Sequence, residues 1–134
     1  MTAATTSSAG VDLPAPAVVH ADLTRDGGRE ATARLLDAMP DMTAIFALND
    51  AMAIGILAEL HHRRIRCPDR MSLTGFDDIP IASDVRPALT TAHVPMEHMG
   101  AEAVRLTLKA RSSRPRRRTL TSEVIERAST GPAA

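Results

Sequence analysis

The chain has 134 residues, enough for one domain with its own core, and its 16 basic and 16 acidic residues cancel, which argues against charge-driven attachment to nucleic acid or a membrane surface. Cys67 is the only cysteine, so no internal disulfide can form and a reducing compartment fits. Phe46 and Phe76 are the only aromatic residues, so an RNA module built on stacking rings is not expected.

Residues 1–8 are small, polar and low in complexity, and disorder is expected there. Residues 1–10 have neither the basic start nor the apolar core of a secretory signal, and no apolar run is long enough to span a bilayer. The cytoplasm is the expected location. Ala17, Val18 and Val19 predict a short strand. Ala31, Leu35, Leu36 and Met39 then recur at helical spacing, with a turn at Pro40 and Asp41.

Thr43 to Leu48 is an apolar run of strand length, as in a parallel sheet covered on both faces. Asn49 is a favourable N-cap and Asp50 suits a first helical turn. Met52, Ile56 and Leu60 form one stripe, widened by Ala53 and Leu57, and basic groups from His61 to Arg64 mark the carboxyl end. A turn at Cys67–Asp69 leads to a strand over Met71–Phe76. One or two helical turns are expected over Ile81–Arg86, between Pro80 and Pro87. Leu89–Val94 is extended.

Pro95 opens a helix over residues 96–111, in which Met96, Met99, Ala103, Leu106 and Lys109 share a face. Residues 111–118 form a charged loop, Thr119–Ala128 a last strand, and residues 129–134 a disordered tail. The alternation predicts an α/β fold, a mainly parallel sheet flanked by helices with right-handed crossovers.

In such a sheet, ligands bind beyond the carboxyl ends of the strands. Asn49 and Asp77 both fall there. A carboxylate accepts from two hydroxyls or a ring N–H, and an amide both donates and accepts. Together they suit a polyol, sugar or nucleoside. Capping Asn and turn Asp are common, so spacing alone serves equally well for an N-cap and a chain reversal at Asp77-Asp78. Arg111, Arg114, Arg116, Arg117 and Arg118 read as a solvated surface loop rather than a nucleic-acid patch, because no aromatic residue is interleaved with them.

No metal site is expected: His61 and His62 point apart on a helix, and His93 and His98 flank a proline. No cofactor is implied either, since neither Asp26-Gly27-Gly28 nor Thr74-Gly75-Phe76 has a dinucleotide fingerprint. Catalytic residues are also lacking. Cys67 has no partner that would make it a nucleophile, and Asp77-Asp78 on a strand end face opposite ways. An enzyme is therefore not expected, and fold alone would not license one.

Three segments carry a family resemblance: Ala47-Leu48-Asn49-Asp50-Ala51-Met52-Ala53-Ile54-Gly55, Cys67-Pro68-Asp69-Arg70-Met71-Ser72-Leu73-Thr74-Gly75-Phe76-Asp77-Asp78, and Arg86-Pro87-Ala88-Leu89-Thr90-Thr91-Ala92. Each is weak alone. In this order and spacing they closely resemble the effector-binding region of LacI/GalR-type bacterial transcriptional regulators, from Ala9 to about Ser129. The resemblance implies one lobe of a type I periplasmic-binding-protein-like fold over residues 9–128, with helix 96–111 packing on a further lobe.

It also implies an N-terminally truncated chain, because no segment here resembles a helix-turn-helix. Operator DNA would then be met only through that missing domain. Asn49 and Asp77 match family positions that contact a sugar-like or nucleoside-like effector. Leu23, in His20-Ala21-Asp22-Leu23-Thr24, stands where relatives often carry an aromatic ring, so it offers apolar contact but no stacking face. The family's twofold interface maps onto Met52, Ile56, Ile81 and Val85, which implies a homodimer. With no partner lobe, Met96, Met99, Leu106 and Leu108 are expected to expose an apolar stripe. The alternative is a fragment of a sugar- or solute-binding protein of an ABC transporter, but Pro-Asp-x-x-Ser and Arg-Pro-x-Leu-Thr-Thr favour the regulator branch.

Overall fold

The computed structural model describes residues 13–108 and 117–132. Helix α1, Arg25–Ala38, opens at Thr24, whose hydroxyl accepts from the Gly27 N–H at 3.1 Å. Strand β1, Ala44–Phe46, runs into helix α2, Asp50–His62, which Asn49 caps by accepting from the Met52 N–H at 2.8 Å. Strand β2, Ser72–Asp77, follows, then a short 3-10 turn over Pro80–Ser83 and strand β3, Thr90–His93. Helix α3 covers Met96–Leu108 and strand β4 covers Glu123–Ile125.

The four strands lie in the order β1-β2-β3-β4. β1 and β3 flank β2 in parallel, with Ile45 opposite Leu73 and Gly75 opposite Thr91; β4 pairs antiparallel to β3, with Val124 opposite Ala92. The sheet is thus mainly parallel, as predicted.

One face carries the core. Leu36, Ile45, Met52, Ile56, Leu60, Met71, Leu73 and Leu89 are buried together between the sheet and α1–α2. The two helices meet backbone to backbone. A Cβ on Gly28 would strike the Met52 carbonyl, and one on Gly55 the Arg25 carbonyl. Arg29 and Arg63 clamp the rim of this contact by pairing with Glu59 at 3.1 and 2.9 Å.

The other sheet face departs from expectation. Phe46 and Leu48 are 63% and 65% exposed, so the apolar run is covered on one side only. Phe46 sits beside Thr74 in the register, and Phe76 beside Ala92, opposite Val124. Both aromatic rings therefore share this open face with Val124.

Further corrections concern the ends. Ala17–Val19 does not form a strand: Ala15–Ala17 is a 3-10 turn and Val18 is extended without strand pairing. Thr119–Ala128 shortens to the three residues of β4. The tail expected at 129–134 is anchored at Ser129, which is fully buried. Its hydroxyl accepts from the Thr90 N–H at 2.7 Å and donates to the Leu73 carbonyl at 2.6 Å. A buried hydroxyl with both bonds made holds its segment in place.

Residues 1–12, 109–116 and 133–134 lie outside the described residues, and with them the N-terminal segment 1–8 expected to be disordered, the end of helix 96–111 and three of the loop arginines. Arg117 and Arg118 are exposed, and Arg118 reaches Glu102 at 3.7 Å.

Along α3, no residue is buried; Met96, Met99, Val104 and Leu108 are exposed and Leu106 is half-buried. The expected apolar stripe is present. No helix among the described residues is long and apolar enough to cross a membrane.

Candidate functional site

The carboxyl ends of β1 and β2 bring the predicted effector residues to one end of the sheet. Asn49 ends the β1 segment and is half-buried. Its Oδ1 caps α2, while its Nδ2 donates to the Leu23 carbonyl at 3.2 Å. The amide is therefore both cap and tether: it fixes the Ala21–Thr24 approach to α1 beside the start of α2. One amide hydrogen and one oxygen lone pair remain for a ligand. The Leu23 side chain, 58% exposed, stands open at this end.

Asp77 and Asp78 end β2 with two consecutive left-handed residues, at φ 109° and 57°. Neither is glycine, and such backbone costs on the order of 1–3 kcal/mol each. The two carboxylates part company. Asp78 turns inward, where its Oδ1 accepts from Arg127 at 2.7 Å and its Oδ2 meets His93 Nδ1 at 3.0 Å. Burial opposes its ionisation, but the Arg127 and His93 contacts outweigh that and hold its carboxyl below the ordinary range.

The Asp77 carboxylate accepts no hydrogen bond among the described residues. Partial burial, and then the Asp50 charge, push its pKa up. The sequence had separated these two side chains only by alternation. The structure shows one spent on the fold and one left open.

Asp50 was read only as a first-turn carboxylate, and its larger role was missed. It is fully buried. Its Oδ1 accepts from the Thr91 hydroxyl at 2.6 Å and its Oδ2 from the Ile79 N–H at 2.9 Å. These bonds tie the start of α2 to β3 and to the segment that follows Asp78. Gly75 is required beside it, because a Cβ there would strike Asp50 Oδ1 and crowd Leu89. No local pattern announces such bonds between residues so far apart in sequence. Arg127, which orients Asp78, was likewise missed.

The expected interface residues divide. Met52 and Ile56 are only 7% and 3% exposed and belong to the core, so their assignment to a dimer contact is corrected. Their stripe faces the sheet and α1, leaving almost no area for a partner. Ile81 is exposed on the 3-10 turn, and Val85 is half-buried against the core.

Cys67 donates weakly to the Ser129 carbonyl, and burial pushes its thiol up to about 11, which leaves it protonated and unreactive at neutral pH. Among the described residues, no group of three or more His, Cys, Asp or Glu is placed to hold a metal ion.

Comparisons with known proteins agree on what this architecture is. The family model of the periplasmic binding protein-like domain matches residues 2–130. The transcriptional regulator DegA of Bacillus subtilis is 35% identical over 129 residues, covering 92% of this chain and 37% of its own length. The solved complex of the regulator CelR with cellobiose superposes with a TM-score of 0.84 at 32% identity, over 92% of this chain and 38% of that one. A LacI-family regulator from Enterococcus faecium with bound ribose gives 0.77 at 29% identity, over 85% of this chain and 43% of that one. The chain spans about a third of the length of the curated relatives it matches. It belongs to the periplasmic binding protein-like domain family, and its homologues there are LacI/GalR-type transcriptional regulators.

Proposed function

We infer that this chain is the effector-binding region of a LacI/GalR-type transcriptional regulator and takes a sugar-like or nucleoside-like molecule at the carboxyl ends of β1 and β2. The observation that carries this reading is the Asp77 carboxylate. Strained backbone presents it with no partner among the described residues, at the end of the sheet where Asn49 holds an anchored amide. Asp77 accepts from ligand hydroxyls, Asn49 donates and accepts, and Leu23 supplies an apolar wall. The complexes of relatives with cellobiose and ribose support a sugar.

In the whole protein, effector binding biases a conformational equilibrium that sets operator affinity, a coupling of typically about 1–3 kcal/mol. Operator DNA is met only through a DNA-binding domain outside these residues. Ile81 and Val85 are the remaining candidates for a homodimer contact. The role is non-enzymatic and cytoplasmic, as regulator relatives suggest; the transporter reading has no comparable support among them.

Calorimetry with cellobiose, ribose and adenosine on the folded chain tests the reading. Binding of one of them, lost in Asp77→Ala, is expected. Binding that survives Asp77→Ala unchanged, or no binding by a folded sample that includes the rest of the relatives' length, would overturn it.

A further inference from the structure

A second site lies at the opposite end of α2. The helix is 13 residues long, which places this end about 20 Å from Asn49. Here a cavity of about 470 Å³ opens between the end of α2, the Cys67–Asp69 turn and the Arg86-Pro87 segment. Its lining is divided by chemistry. Leu57, Ile65 and Pro87 supply apolar surface over the buried Leu60, while Arg64, Arg66 and Arg86 bring cationic groups, and His61 an imidazole, against one carboxylate, Asp69.

Two of these cations are partly occupied. Arg66 lies 3.4 Å from Asp69, and one terminal nitrogen of Arg86 donates to the Val85, Asp84 and Ser83 carbonyls at 2.9, 3.0 and 3.4 Å. The other guanidinium nitrogens of Arg86 have no partner among the described residues. Neither do the Arg64 and His61 side chains.

Arg64 supplies an independent observation. It follows the C-cap of α2 in the left-handed conformation, φ 58°, and Ile65 N–H returns to the Leu60 carbonyl at 2.9 Å. That is the position in a helix stop where glycine carries no steric penalty. Arginine is strained there, its side chain makes no hydrogen bond or ion pair among the described residues, and it lines the cavity. Strain held at a cavity wall by a charged side chain with no role in the fold points to a role towards a ligand.

We propose that this cavity is a binding site for a small organic anion: a carboxylate or phosphate held by Arg64, Arg86 and Arg66, with an apolar body lying on Leu57, Ile65 and Pro87. Guanidinium groups favour such oxyanions because their N–H donors match the oxygens in pairs. An apolar floor beneath a cationic rim selects an amphipathic anion over a free inorganic one. The site is independent of the Asn49–Asp77 reading.

The test uses the 134-residue chain, labelled for amide NMR, with hexanoate, acetate, inorganic phosphate and 1-hexanol as probes. Hexanoate is expected to shift the amides of residues 61–67 and 86. It should bind at least about tenfold more tightly than acetate, through its extra buried methylenes, and hexanol should give no saturable shift. A phosphate shift as strong as that of hexanoate would replace the amphipathic anion with a simple one and overturn the proposal.

Arg64→Gly separates function from folding. Relief of the left-handed arginine should raise the melting temperature by about 3–5 °C. Loss of one charge-assisted contact should weaken hexanoate about tenfold or more. Arg64→Lys should retain part of the affinity. Unchanged hexanoate binding in Arg64→Gly, or no shift at these amides in the parent chain, would overturn the assignment.

Discussion

Asp50 and Thr91 meet in the interior, 41 residues apart in sequence, through a hydroxyl–carboxylate bond of 2.6 Å with both side chains buried. The second Asp50 oxygen accepts from the Ile79 N–H. One carboxylate thereby joins the first residue of α2, the last parallel strand and the chain leaving Asp78. It supports the geometry of the proposed effector site without facing it.

Asp50→Ala should therefore lower stability by about 2–4 kcal/mol, since it strands a buried hydroxyl and a partly buried N–H. Asp50→Asn should cost less, because the Thr91 hydroxyl can rotate to accept from the new amide. Urea unfolding of both variants checks the order. Equal losses would mean that charge rather than hydrogen bonding dominates.

Gly75→Ala should cost about 1–3 kcal/mol through overpacking against Asp50 and Leu89. Combined with Asp50→Ala, the loss should fall short of the sum, because removing the carboxylate makes room for the methyl group. A double-mutant cycle by chemical denaturation reads this directly.

Asp77 should behave oppositely from Asp50. Its backbone is strained and its carboxylate has no partner among the described residues, so Asp77→Gly should raise stability by about 1 kcal/mol while removing effector binding. Thermal melts and calorimetry on the same sample separate the two effects. A destabilised Asp77→Gly would assign the residue to the fold.

Acid should unfold the chain through Glu59 and Asp78. Arg63 and then Arg29 hold Glu59 below its ordinary pKa; Asp78 is held low by Arg127 and His93 against the opposing effect of burial. With folded values depressed, the unfolded chain binds more protons, so stability rises with pH. The contribution is complete above the ordinary carboxylate pKa of about 4 and is lost as pH falls through the lower folded values. Asp77, pushed up, opposes this trend just above pH 4. Unfolding free energies between pH 7 and pH 3 should show the loss, and Glu59→Gln with Asp78→Asn should flatten it.

The exposed face of α3 predicts self-association. Substitution of Met96, Met99 and Leu108 by Gln should reduce it in sedimentation velocity while leaving the melting temperature nearly unchanged, because none of the three is buried.

Periodicity located the three helices of the described residues and the parallel strands, because each carries an apolar stripe that its sequence spells out, buried in α1 and α2 and exposed in α3. It said less about what each stripe meets. Met52 and Ile56 have the same spacing whether they face a core or a partner, and only the packed sheet decides. Thr43–Leu48 has no alternation, so the run reads as doubly covered although Phe46 and Leu48 face outward. The positions of Asn49 and Asp77 at the carboxyl ends of β1 and β2 were legible because apolar runs end there in polar residues; their role towards an effector is the proposal above. Asp50, Arg127 and Ser129 act through partners tens of residues away, and a local reading has no access to such bonds.

Ser129 bears on the order of events during synthesis. Its backbone carbonyl accepts from the Leu73 N–H, and its hydroxyl bridges Leu73 and Thr90. The first bonds of two central strands are thus completed by a residue translated long after both. While the ribosome still holds residue 129, β2 and β3 lack their clasp and Leu73 exposes unsatisfied backbone. The ladder between β2 and β3 can pair before then, but the clasp across their starts is added last, when residue 129 is free to fold back on them.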